Sequence, residues 1–269
     1  MKKKILIVFS IIISLFLVFI AGNFIRDKIV VNNTYKIGEA NLKIPVFVYH
    51  DIVKDKSQVE YDYMQTYLDR FEEQIEWLER SGFDFITYSE LEEYAEGKRE
   101  LKKNSCLITF DDGYEGVYEN AYPIAKEHNI PITIFIINEE VGNEGFFDWD
   151  KAKEMQDSGL VTIASHSMDH PEFTSLSTEE AVENVNNSYK EIEEHLGEQK
   201  VKVFTYPYGL YTEEQSKKLK ECGYIQNLTD NKINESNKMD LRKLHRCYPL
   251  NDSPTKMKFK LLYRTLRYD

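Results

Sequence analysis

The chain has 269 residues, 42% of them hydrophobic and 13% aromatic, and a formal net charge of −12. That length supports one sizeable core, and without a Pro-, Gly- or Ser-rich linker it excludes two large domains. The acidic balance argues against nucleic acid as a partner, whereas a neutral glycan is compatible with it.

The sequence opens with Met1, Lys2, Lys3 and Lys4, followed by an apolar run over residues 5–22 broken only by Ser10 and Ser14. The run is short for a membrane span and long for a signal-peptide core. Basic residues ahead of it keep that end in the cytoplasm, so the remainder is exported. No small-x-small cleavage site follows, because cleavage after Ala21 would put Phe19 at the third position back. This pattern favours an uncleaved membrane anchor over a cleaved signal peptide. Residues 1–22 are then signal or anchor, 23–44 a polar stalk, and 45–269 a single extracytoplasmic domain, monomeric and either membrane-anchored or secreted. Cys106, Cys222 and Cys247 are odd in number and widely spaced, which fits neither a disulfide framework nor a zinc-thiolate site.

Beyond the stalk, residues 45–49 read as a buried strand ending at His50 and Asp51. Phe71, Ile75 and Leu78 at helical spacing predict a helix over 66–81, and Ser89 with Glu92 predicts a capping box for a second. A strand over 106–110 runs into Asp111, Asp112 and Gly113, and a helix over 115–128 leads to a strand at 132–137. A helix over 151–158 precedes a strand at 160–164 that ends on Ser165 and His166. Ser177 and Glu180 cap a long helix to Leu196. Strands at 201–206, 224–228 and 241–248 follow, with a helix over 213–222 between the first two. Alternating strands and helices predict an α/β fold, a distorted (β/α) barrel of six or seven parallel strands. His50, Asp111, Asp112, His166 and Tyr208 all fall just after strand ends, where the loops of such a barrel gather at one face.

Three short motifs carry chemistry. In Thr109-Phe110-Asp111-Asp112-Gly113, adjacent carboxylates at a strand end point in different directions, so one can hold a metal while its neighbour faces the substrate, and Gly113 permits the turn. His166 and His170 can face one ion if the loop between them makes a helical turn. With Asp112 they form a two-imidazole, one-carboxylate set with positions left for water and substrate, suited to zinc or a harder divalent ion. In Thr205-Tyr206-Pro207-Tyr208-Gly209, a fixed loop could present a backbone N–H to a developing oxyanion, with aromatic rings walling a sugar. Each motif alone also reads as an ordinary turn or as packed surface. Three in this order, each at a strand end, point to one site.

Together they resemble carbohydrate esterase family four, the polysaccharide deacetylases, over about residues 45–248. The resemblance implies Asp111 as general base, Asp112, His166 and His170 as metal ligands, and the Tyr208 N–H in the oxyanion hole. It also implies a water on the metal as nucleophile and a protonated histidine as acid. The cofactor would be a divalent ion, zinc first, then cobalt, nickel or iron. Two positions depart from the common family pattern: Thr205 stands where many members carry an arginine that braces the base, and no clean Leu-x-His motif follows. The motif style, Val48-Tyr49-His50-Asp51 with Tyr206-Pro207-Tyr208-Gly209, is similar to the biofilm poly-N-acetylglucosamine deacetylases, whose acid comes from the first strand. That favours His50 over His245 as the acid. Strand alternation puts His245 and Arg246 on opposite faces, so that if Arg246 points inward to brace Asp111, His245 points outward. Tyr206, Pro207 and Trp149 are candidate substrate contacts, Trp149 also reading as helix-start packing.

Poly-N-acetylglucosamine is the first-choice substrate, ahead of peptidoglycan, chitin oligomers and acetylated xylan. A glycoside hydrolase is disfavoured, since its two carboxylates must stand about 5 Å or more apart across the bond. An inactive glycan-binding protein on the same fold has no use for the metal set.

Overall fold

The structure is a computed structural model that describes residues 33–61, 63–237, 240 and 242–267. The apolar run at 5–22 lies outside the described residues, and none of the described helices is long and apolar enough to cross a membrane.

The strands of the main sheet are β1 (Val46–Tyr49), β2 (Asp84–Phe85), β3 (Ser105–Asp112), β4 (Ile132–Ile136), β5 (Val161–Ser165), β6 (Val203–Thr205), β7 (Ile225–Asn227) and β8 (Lys243–Leu244). The helices are α1 (Leu68–Arg80), α2 (Tyr88–Ala95), α3 (Tyr122–His128), α4 (Trp149–Asp157), α5 (Thr178–Leu196), α6 (Glu213–Glu221) and α7 (Pro254–Arg267). Around the barrel the strands run β1-β3-β4-β5-β6-β7-β8, all parallel, and β2 pairs with the start of β3. A bridge between Phe47 and Cys247 closes the ring. There the Val48 amide donates to the Cys247 carbonyl at 2.9 Å, and the Cys247 amide to the Val46 carbonyl at 2.7 Å.

All eight residues of β3 are buried, the mark of a parallel strand covered on both faces. Period-two alternation divides the core. Val46, Leu107, Phe135, Ala164, Val203, Ile225 and Leu244 form an inner cluster with Tyr88, Leu91 and Tyr94 of α2. Phe47, Ile108, Phe110, Ile134 and Ile163 pack outward against Phe71, Ile75 and Leu78 of α1. Continued by two or four residues, the inner rows reach Asp111, His166 and Arg246, so alternation aims these three into one end of the barrel.

Three local expectations are corrected. The capping box of α2 is Thr87 with Glu90, not Ser89 with Glu92. The helix expected over 115–128 begins as a π-helical turn at Val117–Ala121, and the α-helix starts only at Tyr122. Pro123, in the first turn of α3, has no N–H to return to Glu119. Within the stretch expected as a strand over 241–248, a continuous strand forms only at Lys243–Leu244, and pairing resumes only at the single bridge of Cys247. Beyond it the Asn234 side chain takes both the amide of His245 (2.8 Å) and its carbonyl (2.9 Å), diverting the chain before it meets β1.

Candidate metal and catalytic site

A cavity of about 910 Å³ opens at the carboxyl ends of the strands and is lined by His50, Asp111, Asp112, His166, His170 and Tyr208, among others. Asp112, His166 and His170 offer ligand atoms that all lie within 4.8 Å of one another. Asp112 Oδ1 stands 3.4 Å from His166 Nε2 and 3.8 Å from His170 Nε2. A cation bound at about 2.0–2.1 Å to each of three ligands needs them about 3.3 Å apart, so the set fits with small adjustments. His166 Nδ1 sits 2.8 Å from the Thr205 carbonyl, which fixes the ring as the Nδ1–H tautomer and leaves Nε2 bare for an ion. The Tyr114 hydroxyl hydrogen-bonds Asp112 from behind.

Local backbone conformation builds this set. Asp112 (φ 74°), Ser167 (φ 78°), His170 (φ 53°) and Tyr208 (φ 56°) all adopt the left-handed region without being glycine. Such residues cost on the order of 1–3 kcal/mol each and persist where surrounding structure overdetermines them. For Asp112 the consequence is direct: alternation alone would send its side chain outward, and the positive φ swings it back toward the histidines. His166 and His170 meet through this irregular loop rather than a helical turn, with the Ser167 hydroxyl accepting the His170 amide at 2.9 Å.

Asp111 is 2% exposed and Arg246 is 0% exposed, and the two form a two-pronged ion pair with Nη1–Oδ1 at 2.6 Å and Nη2–Oδ2 at 2.7 Å. Burial works to raise the Asp111 pKa, but the guanidinium outweighs it and holds the carboxyl at about 2. Its neighbour goes the other way, since burial and then the Asp111 charge push Asp112 up to about 8. A carboxylate so placed invites the positive charge of a cation. Burial lowers His166 to about 3, and it also lowers His170 and His50 below the ordinary histidine value.

His50 follows β1 into the same cavity, and its Nδ1 is sealed off without a protein partner. Its ring stacks over Tyr248 at 6.4 Å and 17°. His245, one residue before Arg246, points away from the cavity and pairs with Asp230 at 2.7 Å.

The aromatic contacts divide. Tyr208 is 65% exposed at the rim, its ring edge-on to His170 at 4.5 Å. Gly209 beside it is obligatory, because a Cβ there would lie 1.7 Å from Thr229 Oγ1. Tyr206 also lines the cavity; its side chain is buried and its hydroxyl is committed to Gln226 at 2.5 Å. Pro207 is buried in the same turn. Trp149 is not among the cavity-lining residues; it stacks on His195 at 4.2 Å and 4°, the packing alternative. Sequence reasoning passed over Tyr63, Tyr114, Phe146 and Tyr248, which line the cavity, the middle pair stacked at 4.8 Å. Tyr248 was within reach, since it continues the inner row of Leu244 and Arg246. Tyr63 lies in a loop and carried no periodic signal.

Residues 98–226 match the family model described as polysaccharide deacetylase, a stretch that holds Asp111, Asp112, His166, His170 and Tyr208. The chain is 34% identical over 167 residues to a poly-β-1,6-N-acetyl-D-glucosamine N-deacetylase of Staphylococcus aureus (strain MSSA476), covering 57% of this chain and 57% of that relative's length. Among solved structures, IcaB from Ammonifex degensii superposes with a TM-score of 0.71 at 26% identity, covering 81% of this chain and 97% of that one. The Streptococcus pyogenes deacetylase PplD superposes at 0.74 with 22% identity, covering 82% and 99%, a likeness of fold.

Proposed function

The chain belongs to the polysaccharide deacetylase family through residues 98–226, and on that premise we propose that it removes N-acetyl groups from an exported poly-β-1,6-N-acetyl-D-glucosamine. One observation carries the chemistry: a carboxylate held ionised by Arg246 stands beside a three-ligand set, with His50 lining the same cavity. The polymer is the choice favoured by the Staphylococcus aureus relative.

Asp112, His166 and His170 would hold a divalent cation, with zinc the first choice for two imidazoles and one carboxylate. Such an ion polarises the acetyl carbonyl and lowers the pKa of water. Asp111 accepts the proton of the attacking water, a role for which a carboxyl held at about 2 is always in the ionised form. The Tyr208 main-chain N–H donates to the oxyanion as water oxygen bonds to the carbonyl carbon. When the C–N bond breaks, His50 gives its proton to the nitrogen, so that acetate and a free amine leave. Localisation follows the sequence: residues 5–22 hold the enzyme at the outer side of a membrane. Mass spectrometry of the membrane fraction should then find residues 1–22 still attached, and a mature chain starting near Asn23 in the medium would reverse this.

The test is acetate release by the purified protein against β-1,6-linked N-acetylglucosamine oligomers, peptidoglycan, chitin oligomers and acetylated xylan. Fastest turnover of the β-1,6-linked oligomers, abolished by chelator and restored by zinc, is expected. Preference for another polymer overturns the substrate, and chelator-resistant turnover overturns the metal.

A further inference from the structure

In a protein of net charge −12, the stretch forming α7 carries Lys256, Lys258, Lys260, Arg264 and Arg267 and no acidic residue, and it stays net basic although Lys256 and Lys260 both pair with the buried Asp252. Met257 is buried at 2% and Leu261 packs against the same core cluster, which fixes how the helix lies. A different row faces outward: Phe259 is 67% exposed, Leu262 50% and Tyr263 60%. At spacings of three and four these side chains share one side of the helix, with exposed Lys258 next to them. Single exposed apolar residues need no explanation, but three large ones together on a basic helix do.

We propose that α7 is a membrane-surface helix whose Phe259, Leu262 and Tyr263 side chains enter the interfacial layer of an anionic phospholipid bilayer. Aromatic and leucine side chains on one face with lysine beside them suit the headgroup boundary. Basic residues are drawn to an anionic leaflet, and the same field repels the acidic remainder of the protein, so the contact also sets orientation. Two other occupants fit less well. Residues 1–32 carry Lys2, Lys3, Lys4, Arg26 and Lys28 against Asp27 alone, the same sign as α7. A symmetric dimer through this face would set one α7 against the other, again bringing like charges together. The inference concerns a surface remote in role from the reaction and stands whichever substrate is used.

The experiment reads the contact locally in the full-length protein. Phe259→Trp is reconstituted into phosphatidylcholine vesicles with or without phosphatidylglycerol, their acyl chains brominated, and fluorescence is compared with wild type to remove Trp77 and Trp149. Severalfold stronger quenching at position 259 with phosphatidylglycerol, weakened by salt and by an added Lys258→Glu, is expected. Equal quenching in both vesicle types, or none, overturns the proposal. So does a photo-crosslinker at 259 that captures a second copy or residues 1–32 in place of lipid. Unchanged thermal unfolding verifies that the variant is folded, and Leu262→Trp replaces it if it is not.

Discussion

The two walls of the barrel are held in different ways. On one side β3, β4 and β5 share long registers, Thr109 to Asp112 against Thr133 to Ile136, and Ile132 to Ile136 against Val161 to Ser165. On the other, β5 meets β6 through Ser165 and Phe204 alone, and the last strands pair over two or three residues. The candidate ligands Asp112, His166 and His170 all follow from the long-registered wall. Arg246, Tyr248 and Asn231 come from the short one, tied by side-chain bonds such as the Tyr248 amide to Asn231 Oδ1 at 3.2 Å. Metal geometry tolerates little displacement and so draws on a rigid ladder. The brace on the base and the stacking partner of the acid can be steered by side chains instead. The ligands and the groups that serve proton transfer should therefore fail differently: the first by losing the ion, the second by losing proton transfer while the ion stays.

The largest effect is expected on the ligand wall. Asp112→Ala, His166→Ala and His170→Ala should each empty the site, seen by elemental analysis of purified protein, and lower acetate release by about 10³-fold or more. Full metal in all three would dissolve the distinction. Next come the proton-transfer groups. Asp111→Asn and His50→Ala should retain the metal yet lose about 10²–10⁴ in kcat, and the His50 variant should also lose the alkaline limb of the pH–rate profile. Because burial lowers His50, that limb in the wild type should lie on the acid side of the ordinary histidine value. A dead His245→Ala beside an active His50→Ala would exchange the two roles.

Arg246→Met tests the short wall directly. It strands a buried carboxylate, costing about 3–5 kcal/mol in unfolding free energy at neutral pH. The wild-type Asp111 pKa of about 2 lies below its ordinary 3.8, so this pairing stabilises the fold fully above about pH 4 and is lost as pH falls toward 2. In the variant, burial is no longer opposed, and the acid limb of kcat/KM should move to higher pH. An effect of opposite sign belongs to Asp112. With its pKa raised to about 8, chelated protein should lose stability as pH rises from about 4 toward 8, and added zinc should cancel the trend. Thermal unfolding at a series of pH values reads both. Smallest of all, Trp149→Ala and His245→Ala should leave kcat close to wild type, since neither side chain lines the cavity; a large loss in either would extend the site beyond these two walls.

Most of the fold was legible because parallel strands buried on both faces are written as apolar runs, and α5 carried its own capping box at Ser177 and Glu180. The last strand was overextended because Asn234, eleven residues upstream of His245, occupies its ladder groups, a contact with no trace in local pattern. Trp149 read equally as cleft lining or helix-start packing, and only the position of His195 decided it. That the Tyr206 hydroxyl is claimed by Gln226, twenty residues on, likewise leaves no trace in local pattern.

The sequence by itself determined the alternating α/β order, the grouping of polar residues after strand ends, and the opposite parity of His245 and Arg246. These follow from periods of two and 3.6, which are local properties of the backbone. Only the tertiary structure decided that Arg246 pairs with Asp111 across 135 positions of chain and that Asp112 turns back to two histidines. It also decided that neighbouring carboxyls separate to about 2 and about 8. Those outcomes depend on barrel closure, on left-handed φ angles held by their surroundings, and on burial. Each is a through-space quantity that no stretch of sequence contains.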